Sequence, residues 1–470
     1  MRRFRHLTLF LLPLLATTAI GVEARAGGYL SARFGTDHGT PAMANPYAIY
    51  YNPAALGGTH GTTIAADGTF AYRYVKYTRI DTSPSSATAE AFPGSRDANT
   101  GDARLGNLLA SPFLGFSTDL GGGPFRLGAG AYIPFGGSAK WDASPQIAGV
   151  PGSKDGPQRW QNISGQISAI YATVAAAYVI EQANLSIGLN GSFILHRIET
   201  LRARNADGSD DTVTGTGGLV EGRSYLKASG VGGGAALGVY WAPKAMNERL
   251  RLGLSYTKST FGDTRMSGDL STVLSASQPG PAEKVDFLQT YPDVIRLGVA
   301  HRFADSKLEV RADGQYERWS VFKNQCVVRP GKDCPIDDRG GSTAANDIVL
   351  NVKRDWNDAV SARAGGAYFV NPELEVFGSV GFGTPAVPVK TMDASTLDAL
   401  RLSGTIGARY RFSEHLALAG SYNHAYFMTR NVDVASSVHP TLDGISKGPT
   451  AAGTYKSQIP FVNVNIAYTF

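Results

Sequence analysis

The chain has 470 residues, of which 18% are charged, 43% hydrophobic and 10% aromatic. Soluble proteins carry roughly 25% charge and about 7% glycine, whereas this chain has 56 glycines, about 12%. That profile excludes collagen, coiled coil and disordered chain, and past the N-terminus no apolar run reaches the ~18 residues of a membrane-spanning helix. What remains is an all-β chain rich in Gly, Tyr and Phe.

Residues 1–26 read as an export signal rather than as structure. Arg2, Arg3 and Arg5 form a positive n-region, Leu7 to Ile20 an apolar stretch broken by Pro13, and Ala24-Arg25-Ala26 fits the cleavage rule. The mature chain is expected to begin at Gly27, with no cysteine nearby to make it a lipoprotein. Cleavage removes four Arg and one Glu, lowering the net charge from +5 to +2. Without a basic stripe there is no electrostatic case for nucleic acid.

Residues 27–58 do not alternate in polarity. Two Asn-Pro turns, at Asn45 and Asn52, mark a compact irregular segment. Tyr47, Ile49, Tyr50 and Tyr51 favour ordered packing over a solvated tail.

From residue 59 to 470 the chain reads as short strands. They are expected near 61–79, 111–120, 124–135, 163–180, 184–198, 222–241, 249–262, 293–304, 306–322, 347–370, 373–382, 399–412, 416–428 and 457–470. In the ninth, Leu308, Val310, Ala312, Gly314 and Tyr316 alternate with Lys307, Glu309, Arg311, Asp313, Gln315 and Glu317. Successive side chains on a strand point to opposite faces, so one face is oily and the other polar.

A soluble sandwich and a transmembrane barrel both give that alternation. The connections separate them. Short links at 121–123, 181–183, 242–248, 305, 371–372 and 413–415 alternate strictly with long ones at 80–110, 136–162, 199–221, 263–292, 323–346, 383–398 and 429–456. Outer-membrane barrels have short periplasmic turns, long external loops and an even strand count. Lipid-facing charge at mid-bilayer costs about 2–4 kcal/mol per Lys or Arg, so the charged face must line the lumen. The expectation is a 14-stranded antiparallel transmembrane β-barrel in the outer membrane of a Gram-negative bacterium, monomeric, with residues 27–58 as a hatch in its lumen. Tyr368, Tyr410, Phe412, Tyr468 and Phe470 suit the interfacial girdle.

Several stretches then carry a resemblance. Ala48–Leu56, with Asn52-Pro53-Ala54, resembles the hatch motif of the FadL/TodX family of outer-membrane hydrocarbon and fatty-acid transporters. Gly128–Gly136 resembles that family's third strand, Asn357–Tyr368 a late strand and Leu418–Tyr426 the penultimate one. Pro385–Pro388, Asp398 and Arg401 match the loop and strand between them, while Ser31–His38 departs from the family's small-residue run. The resemblance implies a fourteen-stranded fold and passive uptake of hydrophobic molecules, most of all long-chain fatty acids. It also implies capture between loops, a luminal pocket, hatch rearrangement and lateral exit beside a kinked third strand. A terminal aromatic implies recognition by the barrel-assembly machinery. An aromatic-hydrocarbon channel and, in another class, a barrel enzyme or adhesin are the alternatives.

Pro134, Phe135 and Gly136 are the lateral-opening candidates, because Pro removes a ladder hydrogen bond; an ordinary strand end reads the same way. Arg126, Arg296, Arg311, Arg363, Arg401 and Arg409 fall on polar faces and are candidates for a cargo carboxylate, although buried charges more often pair with Glu or Asp. Cys326 and Cys334 favour a disulfide in a long loop, since no His or further Cys clusters nearby. Asn205, Asp207, Ser209, Asp210 and Asp211 lack the Gly of a calcium loop. No P-loop, His-Glu-x-x-His or Gly-x-Ser-x-Gly appears, so neither metal, cofactor nor catalysis is expected.

Overall fold

The computed structural model describes residues 33–80, 93–205, 208–213, 218–273, 281–304, 307–337, 341–434 and 449–470. The signal segment and Gly27 lie outside them. Eighteen strand segments form one closed antiparallel sheet. The first six crossings are β1 (Thr62–Arg79), β2 (Gly101–Thr118), β3 (Phe125–Lys140), β4 (Ser164–Ile180), β5 (Leu185–Arg204) and β6 (Gly222–Trp241). The next four are each broken in two: β7 (Leu250–Lys258) with β8 (Thr264–Val273), β9 (Glu283–Gln289) with β10 (Asp293–Arg302), β11 (Leu308–Glu317) with β12 (Asn324–Val328), and β13 (Ile348–Lys353) with β14 (Ala359–Phe369). The last four are β15 (Leu374–Gly383), β16 (Arg401–Arg411), β17 (Leu416–Val432) and β18 (Gly453–Thr469), and β18 pairs with β1 from Thr63↔Thr469 to Arg79↔Gly453. Fourteen crossings therefore close a barrel without edges, which is what a bilayer demands of a sheet.

The faces sort as the alternation requires. Leu308, Val310 and Tyr316 of β11 are exposed outward, whereas Glu309, Arg311 and Glu317 are buried inside. On β16, Leu402, Ile406 and Tyr410 are exposed, and Phe412 continues the row beyond its end. Tyr368, Tyr468 and Phe470 also face outward near the rim of the short turns.

Several strands run further than the sequence predicts. β2 starts at Gly101 rather than 111, and the stretch 263–292, expected as a loop, contains β8 and β9. The long link before β2 holds a short helix, Pro93–Asp97. The outer ends of these strands carry charge on the outward face, such as Arg104 and Asp102, so the oily stripe fades where headgroups replace acyl tails. The ninth predicted strand, 306–322, ends at Glu317, with β12 following in the expected loop 323–346, and the tenth, 347–370, is interrupted at 354–358.

Residues 33–58 lie inside the barrel at the end of the short turns. A one-turn helix α1 (Ala48–Tyr51) is followed by a 3-10 turn over Pro53–Gly58. Asn52 caps that turn, its Oδ1 accepting from Ala54 N at 3.1 Å, with Pro53 at the first position.

Candidate functional site

The hatch is fastened by its own polar groups to the wall. Asn52 Nδ2 donates to Pro41 O at 2.9 Å and to Val239 O on β6 at 3.0 Å. Asn190 Nδ2 donates to Ile49 O at 2.7 Å, and Ser255 Oγ to Tyr51 O at 2.6 Å. Opposite these, Arg363 binds Asp37 at 2.6 Å, and His38 Nε2 lies 3.1 Å from Glu375. Aromatic faces complete the seat: Tyr47 is 4.9 Å from Phe113, and Tyr50 meets Phe34 and Tyr132 at 5.3 and 5.4 Å.

Among the described residues, two larger cavities lie along the lumen. The upper, about 210 Å³, opens among the long loops. Its floor is apolar, with Ile167, Ile198, Leu226, Leu270 and Phe287, and its rim carries Arg202, Lys353, Arg354, Lys390 and Asp393. Arg354 binds Asp393 at 2.9 Å. Burial opposes ionisation of Asp393, yet Arg354 and Ser395 hold its carboxyl below the usual range.

The lower cavity, about 200 Å³, lies against the hatch. Ala71, Leu109, Ile133 and Phe461 give it an apolar wall, and Arg33, Arg296, Arg363 and Arg401 give it four guanidiniums. Its acids, Asp37 and Asp313, both bind Arg363, at 2.6 and 2.7 Å. Among the described residues no carboxylate comes within ion-pair distance of Arg33, Arg296 or Arg401. Arg296 donates to Thr257 Oγ1 at 2.9 Å and stands 4.6 Å over the Tyr50 ring. Burial pushes the neighbouring loop carboxyl, Asp398, up, against the pull of Arg401 and of the Ala386 amide.

The six expected arginines thus part company. Arg296, Arg363 and Arg401 line the lower cavity. Arg126 does not: its guanidinium donates to Thr59 O and Phe125 O, both at 3.1 Å, and to Gly123 O, at the foot of the barrel. Arg311 is held between Glu309 at 2.6 Å and Glu375 at 2.7 Å. Arg409 faces Glu375 and Arg411 below the cavity. Arg33, which no motif marked, joins the group because the hatch carries it there.

Pairing between β2 and β3 stops early. It runs from Thr118↔Leu127 to Phe113↔Tyr132 and no further. A hydrogen bond from Asp142 N to Arg104 O, 2.9 Å long, ties the two segments again nearer the loops. Between these ties the wall is interrupted, bridged by Ser111 Oγ donating to Ile133 O at 3.2 Å. Leu109, Ala110, Ser111, Ile133, Pro134 and Gly136 belong both to this window and to the lower cavity. Against β4, Tyr132 pairs with Tyr171 but Phe135 with Ala169, so β3 carries one extra residue at Pro134. Such a slip exchanges the faces of all later side chains. Phe135 therefore points into the lumen, where its ring lies 5.4 Å from Tyr291, while Pro134 and Gly136 stay at the window.

Residues 30–470 match the profile of the outer membrane protein transport protein family (OMPP1/FadL/TodX). The chain belongs to that family. A Pseudomonas aeruginosa FadL homologue superposes with a TM-score of 0.71 at 17% identity, covering 94% of this chain and 100% of the other. The Pseudomonas putida toluene transporter TodX gives 0.61 at 16%, covering 91% and 94%. The Ralstonia pickettii toluene transporter TbuX gives 0.60 at 16%, covering 96% and 100%. At these identities the likeness is one of fold. No curated protein matches the chain. As a member of the family it is an outer-membrane β-barrel transporter of hydrophobic compounds.

Outside the cavities, Cys326 and Cys334 are joined as a disulfide, packed with Val328, Ile348 and Ile336 on the outer part of the wall. Asp210 binds Arg79 of β1 at 2.8 Å and Asn205 Nδ2 donates to Asp211 O at 2.6 Å within the loop; Asp207 lies outside the described residues.

Proposed function

We propose that the protein moves amphiphilic carboxylates, long-chain fatty acids above all, passively across the outer membrane. The observation that carries this reading is the set of three guanidiniums, Arg33, Arg296 and Arg401, with no carboxylate within ion-pair distance of them among the described residues, in a cavity that also has an apolar wall. Desolvated charge is costly unless paired, and a fatty acid offers an anionic head together with an apolar tail. Cargo gathers in the upper cavity, whose floor is apolar, and passes to the lower one. There its head meets Arg296 or Arg401 while its chain lies against Leu109, Ile133 and Phe461. The interruption between β2 and β3 is its exit sideways into the bilayer, and rearrangement of residues 33–58 frees the seat. Downhill partitioning drives the movement.

A bare aromatic hydrocarbon is the second cargo class, favoured by the Tyr50 and Phe461 rings beside the cavity. It would make no use of the guanidiniums. Uptake of labelled oleate and of toluene by a host lacking its own transporter separates the two. Oleate uptake that needs Arg296 or Arg401 supports the proposal; toluene uptake alone overturns it.

A further inference from the structure

Charge on the outward face of the wall is distributed unevenly. On one flank it alternates in sign along a single row. Glu199 of β5 stands opposite Lys227 of β6, Lys227 opposite Asp269 of β8, and Asp269 opposite Lys284 of β9. Asp269 and Lys284 meet at 2.8 Å. Opposite charges facing each other across strands stabilise a sheet, so this row is complete in itself.

Where β18, β1 and β2 lie side by side, the row is of one sign. Lys456 stands opposite Lys76, and Lys76 opposite Arg104. Their chain neighbours Tyr455, Ser457, Val75, Tyr77, Ala103 and Leu105 are buried inside, so alternation turns all three cations outward. Like charges directly opposite each other destabilise a sheet. Asp102, two residues along β2 from Arg104, binds Lys76 at 2.7 Å. Among the described residues no carboxylate lies within ion-pair distance of Lys456 or Arg104. Neighbouring strands are about 4.8 Å apart, so three cations and one carboxylate crowd into about 10 Å of wall.

The height of the row identifies what it faces. Ile64, Phe70 and Tyr72 point outward below it on β1, all exposed, with Leu108 and Val462 exposed on the strands to either side. Between Ile64 and Tyr74 the chain advances ten residues. At about 3.3 Å each and a tilt of about 40° they climb about 25 Å, the height of a barrel's apolar band. Lys76 is the next outward residue, at the level of the outer-leaflet headgroups. The Tyr72 hydroxyl reaches up beside Gly106, where a Cβ would sit 2.6 Å from it, and so stands just under the cations.

We infer that Lys456, Lys76 and Arg104 form a seat for the phosphates of lipopolysaccharide. That lipid carries phosphate on its lipid A sugars directly above its acyl chains, and here the cations stand directly above Phe70, Leu108 and Val462. Charge-assisted bonds from Lys and Arg to phosphate offset the repulsion that the row otherwise contains, and the Tyr72 hydroxyl supplies a neutral donor. The seat lies on the outside of the barrel and is independent of which cargo the lumen takes.

The test uses the full-length protein purified in detergent, with hexa-acylated lipid A as the probe and folding checked by the heat-dependent mobility of intact barrels on gels. Arg104→Gln combined with Lys456→Gln lowers lipid A affinity about tenfold or more, the scale of lost charge-assisted hydrogen bonds. Lys227→Gln, in the alternating row, leaves it as in wild type, and dephosphorylated lipid A binds wild type and double variant alike. Lipid A raises the thermal midpoint of the wild type and not that of the double variant. Without lipid the double variant unfolds no earlier than wild type, since two like charges are gone; a merely structural role for these side chains would lower its midpoint. Unchanged lipid A affinity in the folded double variant overturns the seat. So does a wild-type affinity for phosphatidylglycerol equal to that for lipid A, the mark of a surface that attracts any anionic lipid. Should the double variant not fold, Lys456→Gln alone decides: a severalfold loss supports the seat, and wild-type affinity overturns it.

Discussion

Gly188 on β5 and Gly238 on β6 are cross-strand partners, and both lie directly beneath the hatch, Gly188 under the Pro53-Ala54 backbone and Gly238 under the Asn52 side chain. A Cβ at either position would collide with those atoms. The pair is the floor on which residues 52–54 rest, and only hydrogen fits between wall and hatch.

Gly188→Val or Gly238→Val is therefore expected to lift the hatch while leaving the barrel closed. Overpacking of this kind costs about 1–3 kcal/mol, charged here to the hatch seat because neighbouring strands hold the wall. Single-channel recordings check it: raised or noisier conductance with normal barrel mobility on gels is the expected result. Silent channels identical to wild type would mean that the seat tolerates the methyls.

Arg296→Gln and Arg401→Gln are expected to weaken dodecanoate binding about ten- to hundredfold at one or both positions, the worth of a charge-assisted hydrogen bond. Arg126→Gln, whose guanidinium serves backbone carbonyls at the foot of the barrel, leaves it unchanged. Equilibrium binding to purified protein reads this directly, and toluene binding is the control that should not move.

The loop ion pair between Asp393 and Arg354 carries a pH dependence. Its carboxyl is held below the ordinary range in the fold, so its contribution is complete above the unfolded value of about 3.9 and is lost as pH falls through the folded one. Acidification below about pH 4 should loosen the loop 384–400 at the rim of the upper cavity. Limited proteolysis of that loop at pH 3 and pH 7, beside Asp393→Asn, which behaves at pH 7 as wild type does in acid, measures it.

Cys326→Ser with Cys334→Ser should release the segment 329–337 from the outer wall. A disulfide over so short a loop stabilises by about 2–3 kcal/mol, spent here on loop order rather than on the barrel. Protease cutting within the loop rises severalfold, and the thermal midpoint of the barrel stays put.

Most of the barrel was legible because lipid enforces alternation residue by residue: β16 and β18 could be read directly from Leu402, Ile406 and Tyr410, or Val462, Val464 and Ile466. The strand breaks were not, since Trp319 and Trp356 are as acceptable to acyl chains as to a packed lumen and carry no sign of which they meet. Pro134 announced an irregularity, but not that one extra residue would turn Phe135 inward. Nor could the arginines be sorted. Arg363 binds Asp313 across the neighbouring strand and also Asp37, 326 positions away, and only barrel register and hatch placement bring the three together. Asn52-Pro53-Ala54 was readable as a turn, whereas the glycines that receive it are scattered over β5 and β6 and look like any others.

The interruptions of four consecutive crossings leave the cylinder creased along one flank, with ten continuous staves opposite. A hollow body weakened on one side bends there first, as a tube does at a dent. Deformation caused by cargo or by lateral pressure would gather along that crease instead of spreading around the circumference, and amide exchange should be fastest there and slowest across β4, β5 and β6.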